Sequence, residues 1–305
     1  MEPNCSLPPE LLREIISFHI FQNITLVDTK HVGSSKPSWQ LFSSLSLASK
    51  ILRTLVLEAW FATLCVRRSE DLLDKFMPFP EIKTWTREIH FMQWTEDSRS
   101  WSLEGFTRVK KIRIDCSKTD IVPPKFLSGL VISNDIEVEI RNLYWPSPLV
   151  AQCISRMFPK LKVLRLRQAR TWCGLCHTCC VPEFHHPVPK SIRYEDGTGL
   201  PAHYALAFSS LAHLETIHIM VGILESGKTT LGSGKGQNPN LWSGECDRCM
   251  EIMYEDETFK REWVAKKQNV TVKPPMLSTV EWSFLPKEEF ESSVLSDDDE
   301  EEEDA

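Results

Sequence analysis

Two Cys-x-x-Cys pairs carry the clearest chemistry in this chain: Cys173-Gly-Leu-Cys176 and Cys246-Asp-Arg-Cys249. Two thiolates in one tight turn can reach a single tetrahedral cation, and a second pair supplies the other two corners. Gly174 would permit the first bend, and Cys246 and Cys249 would open a helix-like run from Met250 to Lys267. Four thiolates leave no open coordination position, so the expectation is one structural zinc ion without a catalytic role. Cys179, Cys180, His177, His185 and His186 compete as ligands. Buried thiols in packed turns are the alternative. The long interval between the pairs argues against a small self-folding zinc module. It implies a clamp between distant parts of the chain.

Two further motifs fail on context. Trp172-Cys-Gly-Leu-Cys176 has thioredoxin-type spacing, but that chemistry needs its first thiolate at a helix N-terminus. Pro182, Pro187 and Pro189 make a long helix there unfavourable. Gly222-Ile-Leu-Glu-Ser-Gly-Lys-Thr229 matches the P-loop pattern, with Lys228 placed to meet phosphates. The residues that follow, Leu231-Gly-Ser-Gly-Lys-Gly-Gln-Asn-Pro, cannot make the helix whose N-terminal dipole the loop uses. Nucleotide binding through Gly222–Thr229 therefore ranks behind the other readings. No Ser/His/Asp order, carboxylate pair or dinucleotide-binding turn is present, and no catalytic residue is assigned.

The net charge of −7 is misleading, because Asp297–Asp304 is eight consecutive acids. Without them the body stands near +1, which gives no electrostatic case for nucleic acid or a membrane surface. The N-terminus lacks the basic and apolar regions of a secretory signal. No apolar window is long enough to span a membrane. A reducing compartment, cytoplasmic or nuclear, is expected, with the ten cysteines as thiols or metal ligands.

Residues 1–67 read as a helical module. Ser6 can cap a first helix, and Pro8 and Pro9 suit its first turn. Leu7, Leu11 and Ile15 recur at four-residue steps with Leu12, Ile16 and Ile20 beside them, a broad apolar stripe. A polar link, Asn23–Lys36, leads to a second helical region over Ser38–Val66. Beyond residue 85 short alternating runs recur, as half-buried strands do. Phe91, Ile114, Ile140, Leu166, Ile192 and Ile219 mark them, at intervals of about 23 to 28 residues. A final strand is expected over Leu277–Phe284, and residues 291–305 form an acidic tail too charged to fold.

Leu7-Pro-Pro-Glu-Leu-Leu-Arg-Glu-Ile-Ile resembles the opening helix of an F-box, and Leu45-Ser-Leu-Ala-Ser-Lys-Ile-Leu-Arg-Thr-Leu resembles its later helices. The likeness covers about a fifth of the chain. It implies a three-helix module that docks on the Skp-type adaptor of a cullin-type ubiquitin ligase through Leu7, Pro8, Leu11, Ile15 and Ile16. Leu161-x-x-Leu-x-Leu166 and Leu214-x-x-Ile-x-Ile219 resemble the leading part of a leucine-rich repeat, without its later Asn or Cys. The expected architecture is thus α/β: an F-box-like helical module, then a degenerate leucine-rich-repeat-like body over residues 68–290.

Residues between the buried positions would line an exposed sheet face: Lys111, Arg113, Glu137, Glu139, Arg165, Arg167, Thr216 and His218. Their mixed signs suit a protein segment better than a phosphate backbone. The expected function is a non-enzymatic substrate receptor of the ligase, with a target protein on the repeat body. A zinc-stabilised interaction scaffold with no ligase role is the alternative.

Overall fold

The computed structural model describes residues 7–27, 36, 39–94, 101, 103–116, 135–180, 191–195, 197–223, 242–271, 275 and 277–286. The Gly222–Thr229 motif beyond Ile223, the loop Glu225–Asn240, His185, His186 and the acidic tail lie outside them.

The chain opens with three helices: α1 (Pro9–Val27), α2 (Gln40–Ala48) and α3 (Lys50–Trp60). The single helical region expected over Ser38–Val66 is broken twice. Ser49 adopts extended backbone between α2 and α3, and its side chain accepts from the Leu52 amide at 3.1 Å, capping α3. Helix then gives way to strand β1 (Thr63–Val66), whose alternation of half-buried and buried side chains fits a sheet edge. The Ala62 carbonyl accepts from the amides of Arg87 and Glu88, which ties this turn to the following strand. The sheet therefore begins inside the segment expected to be helical. The three helices close a small core of their own from Ile16, Phe42, Leu55 and Val56.

The body is one eight-stranded, mostly parallel sheet in the order β1-β2-β3-β4-β5-β9-β10-β8. Its strands are β2 (Glu88–Trp94), β3 (Lys111–Cys116), β4 (Ile136–Leu143), β5 (Leu161–Gln168), β8 (Ser191–Tyr194), β9 (Thr216–Ile223) and β10 (Thr279–Pro286). Short helices α4 (Ile82–Trp85), α5 (Pro148–Met157) and α6 (Ala202–Ala207) punctuate the series. Each expected strand is present, but Ser191–Tyr194 is not the next rung after β5. It lies antiparallel to β10 at the far edge, and β5 pairs directly with β9. A four-residue run carries no local signal of which partner it will find.

Register aligns side chains across the whole sheet. Val66, Phe91, Ile114, Ile140, Leu166, Ile219, Trp282 and Ile192 form one apolar row. All but Ile192 are at most 1% exposed. Val150 and Ile154 of α5 and Tyr204 of α6 belong to the same core. Full burial of each aliphatic or Phe side chain contributes about 1.5–3 kcal/mol. The neighbouring polar row runs Cys65, His90, Arg113, Glu139, Arg165, His218, Glu281 and Arg193.

Between β5 and β9 the chain makes an excursion: a small hairpin, β6 (Thr171–Trp172) with β7 (Cys179–Cys180), then β8 and α6. The helix expected over Met250–Lys267 is two helices, α7 (Asp247–Glu255) and α8 (Glu257–Thr271). They part at Asp256, whose carboxylate accepts from the amides of Thr258 and Phe259 and caps α8.

Candidate metal centre

The hairpin and the start of α7 bring the two cysteine pairs together. One sulfur from each of Cys173, Cys176, Cys246 and Cys249 lies within 4.8 Å of the other three. The first pair sits in the β6–β7 turn, closed by the Cys173 amide donating to the Thr178 carbonyl at 2.9 Å and the His177 amide to the Cys173 carbonyl at 3.1 Å. The left-handed residue of this turn is His177, φ 57°. Gly174 does not take a positive φ, and an added Cβ there would meet Ala202 at ordinary contact distance. The bend expected of Gly174 is thus made by His177. Cys246 stands at the N-cap position of α7 without a side-chain capping hydrogen bond, and Cys249 sits in its first turn. There the helix dipole favours negative charge.

The donor set fits a tetrahedral thiophilic cation. A zinc–sulfur bond of about 2.3 Å places tetrahedral sulfurs about 3.8 Å apart. The Cys176 and Cys246 sulfurs are separated by 3.7 Å, too far for a disulfide. Without a central charge the cluster is electrostatically poor. Burial raises Cys173 to about 11 and pushes up Cys246 and Cys249. Burial opposes the Cys176 thiolate too, but hydrogen bonds from Thr178, Cys173 and Cys246 outweigh it and lower Cys176 to about 7. A dicationic centre would reverse the bias on the other three.

Among the described residues, no other competing ligand joins the four sulfurs. Cys180 contacts the Thr171 hydroxyl at 3.2 Å, Cys179 stands on β7 beside Trp172, and His177 is exposed.

The loop before α7 is built into the core. Gly244 takes φ 91°, and a Cβ there would stand 2.9 Å from the Trp282 ring. Buried Glu245 accepts from the Ser243 hydroxyl at 2.7 Å and pairs with buried Lys267 of α8 at 3.2 Å. Burial lowers the Lys267 pKa against the pull of Glu245. Sequence inspection missed this pair, because nothing local links two charges on different elements. Beside the knuckle, a cleft of about 1070 Å³ opens between α5, α6 and α8. Gly174 and His177 line it together with Leu200, Leu206, Arg156 and Lys266.

The residues expected to meet an adaptor separate into two sets. Leu7, Pro8, Leu11 and Ile15 are exposed on one side of α1. Ile16 is 4% exposed and belongs to the module's own core, so it is unavailable as a contact. Phe18, Leu47 and Ile51, which sequence reading did not select, are at least 62% exposed.

The expected binding face is largely spent on itself. Arg113 is buried and donates to Asp115 from Nε at 2.9 Å and Nη2 at 2.8 Å, so it is not an exposed contact. Lys111 pairs with Glu88 at 3.1 Å, Arg141 with Glu139 at 2.6 Å, and Arg165 with Glu137. His218 contacts the Ser283 hydroxyl at 2.8 Å, and Arg167 is half-buried. Thr216 is half-buried as well.

Comparison with family models, curated proteins and solved structures returns no match to this chain. Among the described residues, no helix is long and apolar enough to cross a membrane.

Proposed function

We propose that this chain is the substrate-recognition subunit of a cullin-type ubiquitin ligase. In this reading α1–α3 are an F-box-like module that docks on the Skp-type adaptor, and the sheet body, akin to a degenerate leucine-rich repeat, holds a target protein. Catalysis belongs to other subunits. The observation that carries the proposal is the apolar surface of the module. Leu7, Leu11, Ile15 and Phe18 recur at helical spacing, each 46–64% exposed, although the module already closes a core from Ile16, Phe42, Leu55 and Val56. Large apolar side chains left outside a completed core mark an interface.

The target is better placed in the cleft beside the knuckle than on the polar sheet face, where the charges satisfy one another. The cleft offers apolar walls at Leu200 and Leu206 and two cations, Arg156 and Lys266. Cys173, Cys176, Cys246 and Cys249 would hold one zinc ion. Bound, that ion supplies charge compensation and a cross-link, with no open position for a substrate. It would fix the knuckle at one end of the cleft and α7 to the sheet body.

The test is capture of the purified full chain by the purified Skp-type adaptor. Wild type should bind, and Leu11→Asp should bind far more weakly. Absence of wild-type binding, or equal binding by the variant, would overturn the ligase reading. A zinc-tied scaffold without a ligase role would then stand, because the convergence of the four cysteines is independent of α1.

A further inference from the structure

The polar row of the sheet starts with a group that neither docking nor the metal centre uses. Cys65 on β1 is the register partner of His90 on β2, and its side chain hydrogen-bonds to the His90 ring. His90 Nε2 lies 2.7 Å from Asp115 Oδ2, which leaves Nδ1 as the nitrogen for the thiol. Asp115 is fixed in turn by the two hydrogen bonds from Arg113. His90, Arg113 and Asp115 are at most 3% exposed, while Cys65 is only half-buried. This is the order of a nucleophile, a base and a group that orients the base.

A second cation faces the same thiol. The Lys36 ammonium stands 3.2 Å from the centroid of the Trp60 ring and 4.4 Å from that of Phe61; burial lowers its pKa to about 8 against the pull of Cys65, so it is a cation below that pH. The charged groups facing the sulfur thus include Lys36 and His90, with Asp115 and Arg113 behind. Burial works against the imidazolium, but the hydrogen bonds it donates to Asp115 and Cys65 outweigh that and raise the His90 pKa. A thiol that is partly accessible and set among cations has the environment of a reactive cysteine. Outside the metal centre, Cys116 and Cys153 contrast with it. Burial, with Asp115 alongside, pushes Cys116 to about 12, and burial also raises Cys153.

We infer that Cys65 is a reactive thiolate, paired with a His90 imidazolium that Asp115 orients, and that small electrophiles and hydroperoxides modify the protein there. With a hydroperoxide, the thiolate attacks the distal oxygen. The S–O bond forms as the O–O bond breaks, and sulfur loses two electrons to become a sulfenic acid. The proton on His90 Nδ1 passes to the departing hydroxide or alkoxide, which leaves as water or alcohol.

The experiment is brief iodoacetamide labelling of the zinc-loaded full chain between pH 5 and 9, with rates at each cysteine read by peptide mass spectrometry. At pH 6.5 Cys65 should react about fivefold faster than Cys153, since a sulfur facing an imidazolium carries more thiolate than one that burial keeps protonated. Its rate should level off below pH 8. Lys36→Met should shift that plateau to higher pH, and Asp115→Asn should shift it further. Hydrogen peroxide with dimedone should place the adduct on Cys65. A Cys65 rate that climbs through pH 8.5 like an ordinary thiol, or one equal to that of Cys153, would overturn the inference. The wild-type profile decides the matter even where Asp115→Asn fails to fold.

Discussion

The helical module and the closure formed by the four-cysteine cluster with the loop before α7 depart from ordinary burial in opposite ways. In the module, large apolar side chains such as Ile15 and Phe18 stand outside a finished core. In the closure, polar and ionisable groups are buried: Cys173 at 0%, Glu245 at 7% and Lys267 at 8% exposure. An exposed apolar stripe and a buried ion pair, Glu245 with Lys267, are the two observations that ordinary packing does not explain, whereas a buried cysteine alone is unexceptional. The first has no cover among the described residues, and the proposed adaptor would supply one. In the second, Glu245 and Lys267 compensate each other, beside three thiols that burial keeps protonated and that a cation would ionise. The sheet's polar face departs in neither way over most of its width, and its charges say less about partners.

That contrast can be broken at several points. Metal removal should have the largest effect, because structural zinc contributes on the order of 10 kcal/mol in small zinc domains. One zinc per chain should appear by elemental analysis, and a strong chelator should remove amide-exchange protection from α7 before it reaches β3 and β4. Zinc-free protein with unchanged protection would remove the cation from the comparison. Next comes Lys267→Ala, which strands buried Glu245 and should cost about 3–5 kcal/mol by denaturant unfolding. A loss below 1 kcal/mol would mean that water already reaches the pair. Leu11→Asp should weaken adaptor binding by about 2 kcal/mol, roughly thirtyfold, in a titration. Its melting temperature should hardly move, since exposed positions seldom matter by more than about 0.5 kcal/mol. Ile16→Ala would sharpen the point by doing the reverse, destabilising the module with little effect at the adaptor surface. The smallest effect belongs to the Arg165–Glu137 pair. Exposed pairs couple by about 0.2–1 kcal/mol, so a double-mutant cycle there should stay within that range.

Much of this molecule is legible in its sequence, where a signal is local. The strands carrying Ile114, Ile140, Leu166 and Ile219 alternate cleanly and lie where the alternation places them. The cysteine pairs announce their chemistry by spacing, and the four sulfurs meet. Thr63–Val66 misleads because Ala59, Trp60 and Leu64 continue a helical rhythm, and only pairing with β2 decides for strand. Ile15 and Ile16 sit side by side on a stripe broad enough to serve two surfaces, and the packing of Phe42 and Val56 decides which one turns inward. The Glu245–Lys267 pair, the antiparallel edge at β8 and the relay from Cys65 to Asp115 depend on long-range proximity. No residue type or interval advertises that.

The excursion between β5 and β9 also bears on how fast the protein acquires its fold. Strands β1 to β5 pair with their nearest neighbours in sequence, so each new rung closes a modest loop. To add β9 the chain must first stow residues 169–215, and to add β10 it must stow residues 224–278. Closing such loops costs entropy before any pairing returns it, and non-local pairing slows folding. Cys173 and Cys176 lie in the first loop, Cys246 and Cys249 in the second, so an ion bound early would tie the two excursions together and shorten the closure that brings β9 to β5. Zinc would then act as a kinetic staple: refolding with the metal present should complete the far half of the sheet sooner, while the near half keeps its own pace.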